Sequence, residues 1–213
     1  MQFQESSSSV FLGFDPGGNH KYGVAKLVGS HVLAETVDTI EDAVSWAIES
    51  CVGTIPAAAG VDTLLHWATG QSGLRAADQY LKDSYPKVIK SVIAPNSLYG
   101  AMTLGGMGLA FELRTKWPSI CLNETHPKVL YHALSQRFYP RKEITEAVEW
   151  LQKHTGCQLN KSIRNDHELD AVLSAWTTRQ ALKEGWRDLA VLPPKHGQHI
   201  FPLKGVNYYW PPR

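Results

Sequence analysis

The segment Val10 to Asp15, VFLGFD, sets the first constraint on the fold. It is a short apolar run closed by an acid and then by Pro16-Gly17-Gly18. An apolar run of that length, bounded by proline and glycine, reads as a buried strand that ends in a tight turn. A chain built this way needs a sheet around that strand. It must also accommodate a carboxylate where the strand ends.

The next segments supply the sheet. Tyr22 to Val28 and His31 to Val37 both favour strand, and Gly29-Ser30 between them suits a two-residue hairpin turn. The first forty or so residues therefore read as a three-stranded antiparallel meander. Thr39 and Asp42 have capping-box spacing ahead of a helix that carries Val44, Ile48 and Cys51 on one face. Ala57 to Leu65 reads as a buried strand with Asp62 inside it, and Gly73 to Ser84 as a helix. Val88 to Ala94 is ambiguous. Tyr99 to Trp117 is expected to be helical from Leu109 onward, because Gly100, Gly105, Gly106 and Gly108 disfavour helix before it.

Ser119 to Glu124 reads as a further strand, and Pro127 suits the first turn of the helix after it. Ile144 to His154 is a helix stopped by Gly156, and Asn165 to Lys183 is the clearest helix of the chain. Val191 to Arg213 is proline-rich and lacks acidic residues, as expected of an extended tail packed on the domain. The organisation read from sequence is a flexible arm over 1–9, a single domain over 10–190 and the tail over 191–213. A meander followed by alternating helices and strands implies an α/β fold, a mixed sheet with helices on both faces.

Composition narrows the classes. The chain has 213 residues, of which 43% are hydrophobic and 19% charged, enough for a packed core. A formal charge of +1 excludes a histone-like polycation but leaves room for a local basic patch. The three cysteines, Cys51, Cys121 and Cys157, form no Cys-x-x-Cys pair, so a zinc ribbon or thioredoxin-type site has no support. Sparse, unpaired thiols suit a reducing compartment. The opening MQFQESSSS lacks the basic and apolar regions of a signal peptide, and no apolar run approaches the roughly 18–20 residues of a membrane span. The expectation is a cytoplasmic protein with no membrane partner. The sequence carries no sign of its oligomeric state.

Several acids could carry chemistry. Asp15 reads either as a turn aspartate bonding its own backbone or as an acid projecting into a crevice at a strand end, where ligand sites of open α/β sheets lie. Gly17 and Gly18 would let backbone amides approach a phosphate there, which makes them candidate substrate contacts. Asp62 sits in AAAGVDTLL, and an ionised carboxylate in an apolar strand needs a partner or a cation unless it reaches water.

In NDHELDAVLSAW, Leu169, Val172, Leu173 and Trp176 form an apolar stripe. Asp166, His167 and Asp170 share the side beside it. Asn165, Asp166 and Glu168 also suit a helix N-terminus, with Glu168 completing a capping box. Asp170 lies past the first turn and has no such role. Glu124 either joins the same crevice or supports the helix that follows it.

Hard oxygen ligands drawn from separate elements suit Mg²⁺ or Mn²⁺ better than zinc. Two such ions about 4 Å apart can stabilise the attacking and leaving oxygens of phosphodiester cleavage. His167 could be a ligand or a proton carrier. Arg75 either binds a phosphate or pairs with Asp78 at i+3. Phe201, Tyr208, Tyr209 and Trp210, interleaved with Lys195, Lys204 and Arg213, either stack on a nucleic-acid strand or pack on the domain.

These pieces, in this order, resemble the ribonuclease H-like superfamily. GFDPGGNHKYGVA looks like its first acidic strand with the hairpin, GVDTLL like its acidic fourth strand, and HELDA like the late helix of RuvC-type Holliday-junction resolvases. The chain is also similar to an uncharacterised bacterial family of predicted RNase H-like nucleases. That family's motifs appear here as Asp15, Gly60-Val61-Asp62, Arg75 to Asp78, Glu124 to Pro127 and Asp170-Ala171.

The resemblance covers most of Val10 to Glu184. It implies Asp15, Asp62 and Asp170 as catalytic metal ligands, with His167 or Asp166 assisting. The implied activity is a Mg²⁺- or Mn²⁺-dependent nuclease acting on DNA or RNA. The rival expectation is a nucleic-acid-binding module that keeps the fold without cleaving. Resolvases usually carry Glu where this chain has Asp62, and Glu124 has no resolvase counterpart.

Overall fold

The computed structural model describes residues 6–17, 21–94, 100–140, 143–193 and 197–212. Gly18, Lys195 and Arg213 lie outside the described residues, as do residues 1–5 of the expected arm. Ser6 to Ser9 form a hydrogen-bonded turn leading into the first strand.

The elements follow in chain order. Strands β1 (Val10–Pro16), β2 (Tyr22–Val28) and β3 (His31–Val37) form the antiparallel meander, with Gly29 taking φ +56° in the second turn. Helix α1 (Ile40–Ser50) starts at Thr39, whose hydroxyl and Asp42 make the reciprocal cap. Strand β4 (Ala58–Val61) runs parallel to β1, and the short β5 (Trp67–Ala68) follows. Next come α2 (Ala76–Ser84), a tight 3-10 segment (Pro86–Ser91), α3 (Gly100–Lys116), β6 (Cys121–Glu124), α4 (Pro127–Ser135) and α5 (Thr145–Thr155). The remaining elements are β7 (Gln158–Leu159), α6 (Asp166–Glu184), β8 (Arg187–Asp188), β9 (His199–Ile200), β10 (Val206–Asn207) and β11 (Tyr209–Trp210).

Among the described residues the main sheet has seven strands in the order β10-β6-β4-β1-β2-β3-β7. Only β2 runs against the rest. The fold is thus α/β with a mixed sheet and helices on both faces. Alternation along β1 separates the two cores: Val10, Leu12 and Phe14 pack under α1 and α3, while Phe11 packs under α2, α4, α5 and α6.

Three strand glycines set how closely α6 approaches. A Cβ on Gly13 would lie 1.9 Å from the Ala171 carbonyl oxygen, on Gly23 2.0 Å from that of His167, and on Gly60 2.3 Å from that of Ser174. The three sit on adjacent strands, so the helix backbone lies directly on the sheet. Glu168 to Thr178 of α6 are all buried, leaving almost no solvent face in that stretch.

Three expectations change. α3 is helical through its glycines, because Gly105 and Gly106 admit the Tyr22 hydroxyl and the Thr63 side chain, which a Cβ would meet at 2.2 and 2.3 Å. Close packing outweighs their poor helix propensity. Strand β4 stops at Val61, so Asp62 stands at the strand end instead of inside it. The tail packs its aromatics on the domain, Tyr208 and Trp210 being buried and Trp210 donating to the Tyr85 hydroxyl at 3.0 Å, but it is not extended throughout its length, since β10 also pairs with β6 as an edge strand of the sheet. No helix among the described residues is long and apolar enough to cross a membrane.

Candidate metal centre

Asp15 and Asp62 stand at the C-terminal ends of the parallel neighbours β1 and β4, on the face that α6 covers. Strand periodicity puts Asp15 in line with Phe11 and Gly13, and Asp62 in line with Gly60. The contact of Gly13 with Ala171 then brings Asp170, one residue earlier on α6, to the same point. One carboxylate oxygen from each of Asp15, Asp62 and Asp170 lies within 4.8 Å of the others. Asp15 and Asp170 are buried and Asp62 is half-buried.

The electrostatics follow from that convergence. Burial and repulsion from Asp15 and Asp170 push the Asp62 carboxyl well above the usual carboxylate range. Burial pushes Asp170 up to about 6, against the opposing pull of Lys128. The Lys128 ammonium, from the first turn of α4, lies 3.0 Å from Asp170 Oδ2. The three acids raise its own pKa, Asp170 contributing most. Even so, no protein donor is well aligned on either buried Asp170 oxygen among the described residues. Lys128 and the Tyr139 hydroxyl are the groups that face this carboxylate, and the donor set of the three acids is all oxygen. Those residues fit a hard divalent ion such as Mg²⁺ or Mn²⁺.

His167 completes the inner side of the group. Its Nδ1 lies 2.6 Å from Asp15 Oδ2, and that hydrogen bond, more than any other influence, raises the imidazole pKa. Gly17 gives the ring its space, since a Cβ there would sit 2.5 Å from Nδ1 and Cε1. The structure thus places Gly17 against His167. Asp166 lies outside the three-acid group; its Oδ1 is 3.9 Å from His167 Nε2, at the cleft wall. Asn165 caps α6 as its sequence suggests. Glu168, however, accepts from the Arg164 backbone and the Thr36 hydroxyl and does not return to Asn165.

A cleft of about 470 Å³ opens beside the acids. Asp62, Asp166 and Lys128 line it together with His126, Lys90 and the apolar Leu64, Ile93 and Met102. Burial, with the Lys128 charge adding to it, lowers His126 to about 4.

Glu124 and Arg75 belong to a separate cluster. Arg75 is 1% exposed, and its guanidinium donates to both Asp78 oxygens, both Glu124 oxygens and the His66 carbonyl. It also forks over the Tyr208 ring at 5.7 Å. Every N–H of the side chain is engaged, so none is left for a phosphate. Glu124 also accepts from the Leu65 amide, and the Arg75 charge overcomes burial to hold its carboxyl down at about 2. Glu124 reaches the cleft wall but is not among the three clustered acids. Its partners tie β6 to α2, which is a structural use of both residues.

The tail aromatics are occupied as well. Tyr208 and Trp210 are in the core, and Phe201 stacks on His66 at 4.8 Å. Lys128 is the site residue that the sequence reading passed over. A signal was present: a cation in the first helical turn opposes the helix dipole and calls for an acid partner. No family model, curated protein or solved structure matches the chain.

Proposed function

We propose that the protein is a divalent-metal-dependent nuclease with an RNase H-like architecture, hydrolysing phosphodiester bonds of DNA or RNA. The observation that carries this reading is the convergence of Asp15, Asp62 and Asp170 to within 4.8 Å beside a cleft rimmed by Lys90, Lys128 and His126. The acids come from the first strand, the end of the fourth strand and the late helix, which is the arrangement that the resemblance expects. The meander, the parallel strands beyond it and the helix laid across them support the same reading.

The three carboxylates would hold Mg²⁺ or Mn²⁺, which supplies positive charge to a phosphate and lowers the cost of attack on it. The chain's own groups have distinct parts. His167, fixed by Asp15, presents its other nitrogen toward Asp166 and is suited to carrying a proton. Lys90 and Lys128 attract the nucleic-acid backbone to the cleft. The apolar wall of Leu64, Ile93 and Met102 gives a base or sugar somewhere to lie.

The test is cleavage of labelled single-stranded, duplex and branched substrates with Mn²⁺, using the full chain and Asp15→Asn. Metal-dependent cleavage that disappears in the variant supports the proposal. Binding without cleavage, unaffected by chelator and by Asp15→Asn, overturns it in favour of a non-catalytic binding module.

A further inference from the structure

Lys128 is in an unfavourable place by ordinary helix electrostatics. It is the second residue of α4, where the partial positive charge of the helix N-terminus repels a cation. Even so, its ammonium turns inward to 3.0 Å from Asp170 Oδ2, and its side chain is only 38% exposed. Nζ sits 5.6 Å from the centre of the Tyr139 ring, a second stabilising contact for a cation. The same side chain lines the cleft. It therefore stands between the acids and the space a substrate would fill.

We propose that the Lys128 ammonium is the built-in second cation of this centre, so that the site takes up one divalent ion where an acid cluster of this kind would otherwise hold two. The inference rests on the metal-centre reading above and adds its stoichiometry. The three carboxylates carry three negative charges, which one ammonium and one divalent ion balance, while His167 and Asp166 beside them are of opposite sign to each other. A second divalent ion would have to displace an ammonium already paired with Asp170 at 3.0 Å. A phosphate in the cleft would meet the ammonium on one side and the ion on the other. Lysine then takes one of the two oxygen-stabilising roles that paired ions share elsewhere.

The experiment is calorimetric titration of the full chain with Mn²⁺, for the wild type, Lys128→Met and Lys128→Arg, with melting curves in Mn²⁺ and in chelator as a second readout. The wild type and Lys128→Arg are expected to bind one ion per chain. Lys128→Met is expected to bind two, or one at least about tenfold more tightly, because a like charge beside the ion has gone. Its melting temperature should also gain more from Mn²⁺ than that of the wild type. That second readout applies even where the variant is poorly folded without metal.

Two ions on the wild type overturn the inference. So does a Lys128→Met protein with wild-type stoichiometry, affinity and melting gain. No uptake and no melting gain in the wild type would instead bring down the metal-centre reading itself, and the inference with it.

Discussion

Gly13 and Ala171 are in backbone contact: any Cβ at position 13 would lie 1.9 Å from the Ala171 carbonyl oxygen. That contact aligns Asp170 with Asp15, two residues further along the same strand. Gly13→Ala must therefore lift α6 off the sheet. The expected cost is about 3 kcal/mol of stability, at the upper end for overpacking because the obstacle is backbone. Mn²⁺ affinity should fall with it, since the helix-borne acid moves away from the strand-borne pair. Urea denaturation and metal titration of the same sample check both, and wild-type behaviour in either would contradict the contact.

The acid cluster predicts how metal stabilisation varies with pH. Asp170 is raised to about 6 in the folded chain. An unfolded aspartate titrates near ~3.9. A carboxyl raised by folding stabilises the fold fully below its unfolded value, and that contribution is lost as pH climbs through about 6. A divalent ion needs the deprotonated acids and restores what was lost. The melting-temperature gain from Mn²⁺ should thus be small near pH 5 and grow as pH rises past about 6. Thermal melts with Mn²⁺ or chelator across that range decide it; a gain that shrinks as pH rises refutes the cluster as the binding site.

Arg75 makes the opposite kind of prediction. Arg75→Met leaves Glu124 and Asp78 buried without their shared cation, which costs about 3–5 kcal/mol. Mn²⁺ affinity of the folded fraction should stay within a few-fold of wild type, since neither acid belongs to the metal group. Chemical denaturation and metal titration separate the two effects. Loss of metal binding in a well-folded variant would move Arg75 into the functional site after all.

His167→Gln removes the group that the Asp15 carboxylate orients while keeping a polar side chain in the space over Gly17. Cleavage should drop by about a hundredfold, the usual scale for losing a positioned proton carrier, and its pH profile should lose the histidine limb. Single-turnover rates across pH read this directly. A uniform loss with an unchanged profile would reduce His167 to a support for Asp15.

The three clustered acids were legible in the sequence because Asp15 closes an apolar strand at a turn, Asp62 follows the apolar run AAAGV, and Asp170 lacks any capping role. The meander and its turns were legible for similarly local reasons. Glycine misled in both directions. In α3 it looked like a helix breaker, although Gly105 and Gly106 are there to admit Tyr22 and Thr63. In β1, β2 and β4 the three glycines beneath α6 gave no signal, because their purpose depends on which helix lands on them. Arg75 and Glu124 matched short motifs yet pair with each other across 49 positions, a relation that no local spacing encodes. The tail looked like an add-on because its two-residue strands are too short to show a period.

The bond between His167 and Asp15 joins residues 152 positions apart. Closing so long a loop is entropically costly and kinetically slow. The stretch of α6 from Glu168 to Thr178, which carries Asp170, is buried throughout by the finished sheet and its neighbours. The three-acid cluster is then among the last features the chain completes, and whatever chemistry it supports waits on the finished fold.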